Sequence, residues 1–117
     1  MAIQNWSEDI LVAELADDPV FTDEVTALME RLEDEPKDVV LNFAAVSFVN
    51  SSDVAKLLRL RKQVLNHKRR LILCDVNAQV WGVFLVTGLD KIFEFTNDVS
   101  TALATLQLTD QAGERQG

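Results

Sequence analysis

The stretch VVLNFAAVSFVNSSDVAKLL, residues 39–58, constrains the fold more than any other part of the chain. Val39-Val40-Leu41-Asn42-Phe43 is a short apolar strand, and a second apolar run, Val46-Ser47-Phe48-Val49, follows it. The chain then turns through Asn50-Ser51-Ser52-Asp53 into an amphipathic helix over about 52–66. Val54, Leu57, Leu58, Val64 and Leu65 can form the buried side of that helix, with Leu60 near its edge. Two hydroxyls therefore stand where a strand ends and a helix begins. There the first backbone N–H groups lack intrahelical acceptors and the helix dipole presents its positive end. A serine at such a place can cap the helix, and it can equally carry or attract a phosphate.

The rest of the chain repeats this alternation. Residues 9–14 (DILVAE) form a short strand with Trp6 in a hairpin arm before it, and Ala16-Asp17-Asp18-Pro19 is a turn. Thr22 reads as the cap of a helix whose first turn holds Asp23 and Glu24, and Val25, Leu28, Met29 and Leu32 supply its apolar face. Residues 71–75 read as a fully buried strand and residues 78–87 as a helix facing inward through Val80, Val83 and Phe84. Gly88 stands at the natural stop of that helix. A short edge strand over 92–95 and a last helix over 98–106, inward through Val99, Leu103 and Leu106, complete the pattern. Alternating strands and helices imply an α/β domain whose mostly parallel sheet is mixed by the N-terminal arm and packed with about four helices. At 117 residues this is one domain over 1–108, with a flexible tail over 109–117 too poor in apolar residues to fold.

Charge narrows the function. The net charge of −8 disfavours nucleic acid as a partner, since that affinity comes mostly from neutralising phosphates. Twelve of the nineteen acids lie between Glu8 and Asp38, and seven of the eleven bases lie between Lys56 and Arg70, a stretch without an acid. Lys56, Arg59 and Lys62 recur at spacings of three, on one side of the second helix. Such a face either solvates the helix or docks an acidic partner. No apolar run approaches ~20 residues and no signal peptide is visible, so the expectation is a cytoplasmic protein without a membrane span.

Nothing in the sequence assembles an enzyme. The single histidine, His67, lies at the far end of the helix that begins at the serines, about 20 Å away at 1.5 Å per residue. That separation excludes a Ser-His-Asp triad within one molecule. One histidine and one cysteine, Cys74 in an apolar strand, supply no metal centre, and the four glycines form no phosphate-cradling loop. No cofactor is expected, and Cys74 reads as a buried, inert thiol.

The serine turn resembles the signature of STAS domains, the fold of bacterial anti-sigma factor antagonists. Their pattern is an apolar strand, a Val-Ser-Phe-like run, and Asp-Ser-Ser-Gly or Asp-Ser-Thr-Gly opening a leucine-rich helix. Arg69-Arg70-Leu71-Ile72-Leu73-Cys74-Asp75-Val76 is similar to the next strand of the family, and Thr87-Gly88-Leu89-Asp90-Lys91-Ile92-Phe93 to its "TGLDRLF" element. The resemblance covers roughly residues 10–106. Two signature positions depart from it: Asn50 stands where the family usually has Asp, and Asp53 where it has Gly. The resemblance implies a transcription regulator that works by partner switching, docking on an anti-sigma factor of the serine-kinase type, with a PP2C-type phosphatase as a further partner. It implies phosphorylation at Ser51, with Ser52 as second choice. The expected partner surface joins Asn50, Ser51, Ser52 and Asp53 of that turn to Lys56, Arg59 and Lys62 on the basic side of the helix. The alternative is a STAS scaffold subunit of a stress-signalling or transport complex that is not switched.

Overall fold

Period-two apolarity along the strands places one set of side chains on each face of the sheet, and both faces are covered. The computed structural model describes residues 3–116, with side chains described through residue 108. The elements in chain order are β1 (Ile3–Asn5), β2 (Ile10–Ala16), α1 (Val20–Asp34), β3 (Asp38–Ala45), α2 (Ser51–Asn66), β4 (Leu71–Cys74) and α3 (Ala78–Thr87). A 3-10 turn (Leu89–Lys91), β5 (Glu94–Thr96) and α4 (Val99–Gln116) follow. The five strands lie in sequence order, β1 antiparallel to β2 and the others parallel.

Right-handed crossovers between successive parallel neighbours carry their helices to one side of the sheet. Accordingly Leu28 of α1, Leu57 of α2 and Phe84 of α3 share a core with Leu41 and Phe43 of β3 and Leu71 and Leu73 of β4. The opposite side belongs to α4, where Ala102 and Leu106 cover Val40, Ile72 and Cys74. Leu41, Phe43, Leu71, Leu73, Leu28 and Leu57 are all buried, as the strand and helix periods predict. Cys74 is buried on the α4 side, and its thiol donates to the Leu41 carbonyl at 3.5 Å.

Several local expectations are corrected. The first helix begins at Val20, and Thr22 is not its cap: the Thr22 N–H and hydroxyl both donate to Asp18 Oδ1, at 3.1 and 2.7 Å. In α2, which starts at Ser51, Leu60 is fully buried whereas Leu65 is 44% exposed. Leu60 joins the main core, which periodicity alone could not tell. The edge strand is shorter than expected because Leu89–Lys91 winds into a 3-10 turn after Gly88. Gly88 ends α3 in the left-handed conformation, φ 74°, and its N–H bonds the Leu85 carbonyl. The last helix runs to Gln116, and the tail expected over 109–117 falls on residues whose side chains lie outside the described part.

Leu73→Ala removes a fully buried side chain from the central layer and is expected to destabilise by about 2–5 kcal/mol in urea unfolding. Leu65→Ala, on the exposed side of α2, is expected to stay within about 0.5 kcal/mol.

Candidate functional site

Parallel pairing brings the carboxyl ends of β2 and β3 side by side, so the loops that leave them meet. The register shifts near those ends: Glu14 pairs with Asn42 and Ala16 with Ala45, so β3 carries one residue more than β2 there. Asp17 and Ser47 join the loops: Asp17 Oδ1 accepts the Ser47 N–H at 2.9 Å and Oδ2 its hydroxyl at 2.5 Å. These bonds hold the Asp17 carboxyl below the usual carboxylate range. Val46 and Val49 are buried and anchor the second loop, and between them Phe48 stands 58% exposed beside the Asp17 carboxylate.

The start of α2 is closed by a reciprocal cap. Asn50 Oδ1 accepts the Asp53 N–H at 2.8 Å, and Asp53 Oδ2 accepts the Asn50 N–H at 3.1 Å. The capping duty expected of the serines thus falls on their neighbours. Ser51 and Ser52 occupy the first two helical positions with both side chains exposed. Ser52 Oγ accepts a hydrogen bond from Lys56 Nζ at 2.7 Å. Among the described residues no protein group bonds the Ser51 hydroxyl. The N–H groups of Ser51 and Ser52 lack intrahelical acceptors by position, and no other element supplies one among the described residues.

Asp53 is only 3% exposed, and its Oδ1 has no hydrogen-bond donor among the described residues. Its carboxyl lies against that of Asp18. Burial, opposed by the Asn50 N–H and reinforced by Asp18, raises the Asp53 pKa above the usual range. Asp18, bonded by Thr22 and then by Asp53, is lowered. Where the pair holds one proton, Asp53 is its preferred site, because the Asp53 pKa is raised and that of Asp18 lowered. The carboxyl that replaces the family glycine is turned inward and links α2 to the start of α1.

The basic stretch divides by use. Arg61 donates to the Ile92 carbonyl at 3.2 Å, Arg69 pairs with Asp38 at 3.2 Å, and Arg70 pairs with Glu94. Arg59 and Lys62 are exposed and form no ion pair among the described residues. With Lys56, Arg59 forms one wall of a cleft of about 450 Å3 between α1 and α2; Val25 and Met29 form its floor and Glu30 and Glu33 the opposite wall. His67, at the carboxyl end of α2, is remote from the serines. Among the described residues no group of His, Cys, Asp and Glu could hold a metal ion, and no helix is long and apolar enough to cross a membrane.

Sequence reasoning missed Asp17, Asp18, Ser47 and Phe48 as members of this site. The available signal was the parallel order of β2 and β3, since in such sheets the loops at the carboxyl ends of adjacent strands share a surface.

A mixed, mostly parallel five-stranded sheet with three helices on one face, one on the other, and a serine turn opening the second helix defines the STAS architecture. The STAS domain family model matches residues 9–102, and the chain belongs to that family. Solved structures agree in fold. An anti-sigma-factor antagonist domain protein from Planctomyces limnophilus superposes with a TM-score of 0.77 at 18% identity, covering 90% of this chain and 97% of that one. The anti-sigma factor antagonist SpoIIAA of Bacillus, in its unphosphorylated form, gives 0.77 at 18% identity over 90% and 94%. An RsbS variant from Moorella thermoacetica gives 0.77 at 14% identity over 94% and 99%.

Two outcomes follow from the cap and its buried carboxyl. Asn50→Ala is expected to cost about 0.5–2 kcal/mol of stability. Because the folded pKa of Asp53 is raised, its contribution is fully present below the ordinary carboxylate pKa and is lost as pH rises through the raised value. Asp53→Asn keeps an acceptor for the Asn50 N–H and a donor for Asp18 but does not titrate. Its urea midpoint is expected to gain on the wild type as pH rises through that window and to lose the advantage in acid. A pH-independent difference would remove the proton from the pair.

Proposed function

We propose that this chain is an anti-sigma factor antagonist-like binding module. It docks on an anti-sigma factor of the serine-kinase type through the Ser51 turn and the basic side of α2, and phosphorylation of Ser51 releases it. The observation that carries this reading is the state of Ser51. Its hydroxyl is exposed, takes no part in the cap, and stands at a helix N-terminus whose first N–H groups are free to receive an anion. A phosphate there adds nearly two negative charges, which those groups and the nearby Lys56 ammonium can accommodate. A partner surface fitted to a neutral hydroxyl would not accommodate them.

Two features that distinguish this chain from the signature are consistent with the reading. Asn50 supplies the capping acceptor without a charge, and Asp53 is buried toward Asp18 rather than sharing the solvent face of Ser51. SpoIIAA, with the same fold, has been solved in both unphosphorylated and phosphorylated forms. Arg59 and Lys62, which form no ion pair among the described residues, give the docking surface a charge that speeds encounter with an acidic partner.

Incubation with the cognate kinase and ATP is expected to add one phosphate by intact mass, retained in Ser52→Ala and abolished in Ser51→Ala. An unmodified wild type would leave a constitutive scaffold module. Arg59→Glu with Lys62→Glu is expected to slow association about tenfold or more, the range that steering by charge spans, while stability stays within about 0.5 kcal/mol. An unchanged association rate would return these residues to mere solvation of the helix.

A further inference from the structure

Helices α1 and α2 lie side by side and carry opposite charge. On α1 the exposed Glu30 and Glu33 form one wall of the cleft between them, and Arg31, the one base of that helix, donates to Asn5 Oδ1 at 3.2 Å. On α2 Lys56 and Arg59 form the opposite wall, and Lys62 extends it toward the carboxyl end. Asp53, the one acid of that helix, is buried. Gln63 sets the two walls level, its Nε2 donating to the Met29 carbonyl at 2.9 Å and to Glu33 Oε2 at 3.1 Å. Val25 and Met29 form an apolar floor between the walls. Yet no acid of α1 pairs with a base of α2 among the described residues, and Glu30 and Arg59 make no ion pair of any kind there.

An occupant of this surface has to present both signs in adjacent strips. A uniformly acidic partner is repelled by the α1 wall and a uniformly basic one by the α2 wall. The surface that carries the required pattern is the same surface turned over. A two-fold axis running along the cleft lays α1 of each copy on α2 of the other, acid on base in both halves. Such an axis keeps the height of a residue along the cleft, so Glu30 meets Arg59 of the second copy and Glu33 meets its Lys62. The two apolar floors then face each other across the axis. Helices of 15 and 16 residues, each about 23 Å long and about 10 Å across, give a footprint of about 450 Å2 a side. That is the size of a transient contact, and each copy carries a net charge of −8, so the association is weak and reversible.

We propose that two copies of this chain associate through the α1–α2 face in a symmetric dimer, with Glu30 and Glu33 of one copy against Arg59 and Lys62 of the other. Lys56, Arg59 and Lys62 also belong to the docking surface proposed above, so the dimer and an acidic partner compete for them. The experiment uses this chain alone and is independent of that reading. Sedimentation velocity across a dilution series up to about 1 mM, where even a weak complex is populated, is expected to show reversible passage from one chain to two. Glu30→Arg and Arg59→Glu each set like charges opposite in both halves and are expected to weaken the dimer about tenfold or more. An equimolar mixture of the two variants is expected to recover it as a heterodimer, since both halves are then of opposite sign. The chain carrying both changes is expected to recover it as well. A wild type that remains one chain throughout would overturn the proposal and leave the face to a different protein. Single variants that associate as before, or a mixture no stronger than its components, would overturn it too.

Discussion

Strand β3 is paired on both edges and covered on both faces, and the rest of the molecule is arranged around that constraint. Val39, Leu41 and Phe43 face the three-helix layer while Val40 faces α4. A slip of one residue would exchange these sets and drive Asn42 into the main core, so the register is held by burial on both sides. Parallel pairing with β2 and β4 then fixes which loops meet. The turns after β2, β3 and β4 emerge at the same end of the sheet. Asn77 Nδ2, at the start of α3, donates to the Val46 carbonyl at 3.0 Å and joins the third loop to the second.

At that end the chain separates structural from exposed polar groups. Asn50 and Asp53 absorb the capping of α2, and Asp17 and Asp18 brace the neighbouring loop. What remains outside is Ser51, the Ser52–Lys56 pair and the exposed Phe48. The same division operates along α2 and into β4. Arg61, Arg69 and Arg70 are spent on internal contacts, and Arg59 and Lys62 stay turned to solvent. A surface with few internal obligations can change partners without disturbing the core.

The Ser51 turn draws its charge from a helix N-terminus and from the bases of α2. It arises where consecutive helices stay on one face of the sheet.

The sequence by itself determined the alternation of strands and helices, the identity of the core and the serine turn. Periodicity and turn residues are local properties, and Leu41, Phe43, Leu73 and Leu28 carry their burial in their spacing. Family resemblance was legible for the same reason, through contiguous elements around Ser51 and Thr87. Tertiary structure alone decided which polar residue served which helix start, because Thr22 donates to Asp18 instead of capping α1 itself. It also decided that Leu60 and not Leu65 would be buried, since that depends on how α2 settles on the core. The approach of Asp18 to Asp53, 35 positions apart in the chain, and the meeting of Trp81 with Phe95 were beyond any local pattern. They follow from strand adjacency and from the face to which each helix crosses.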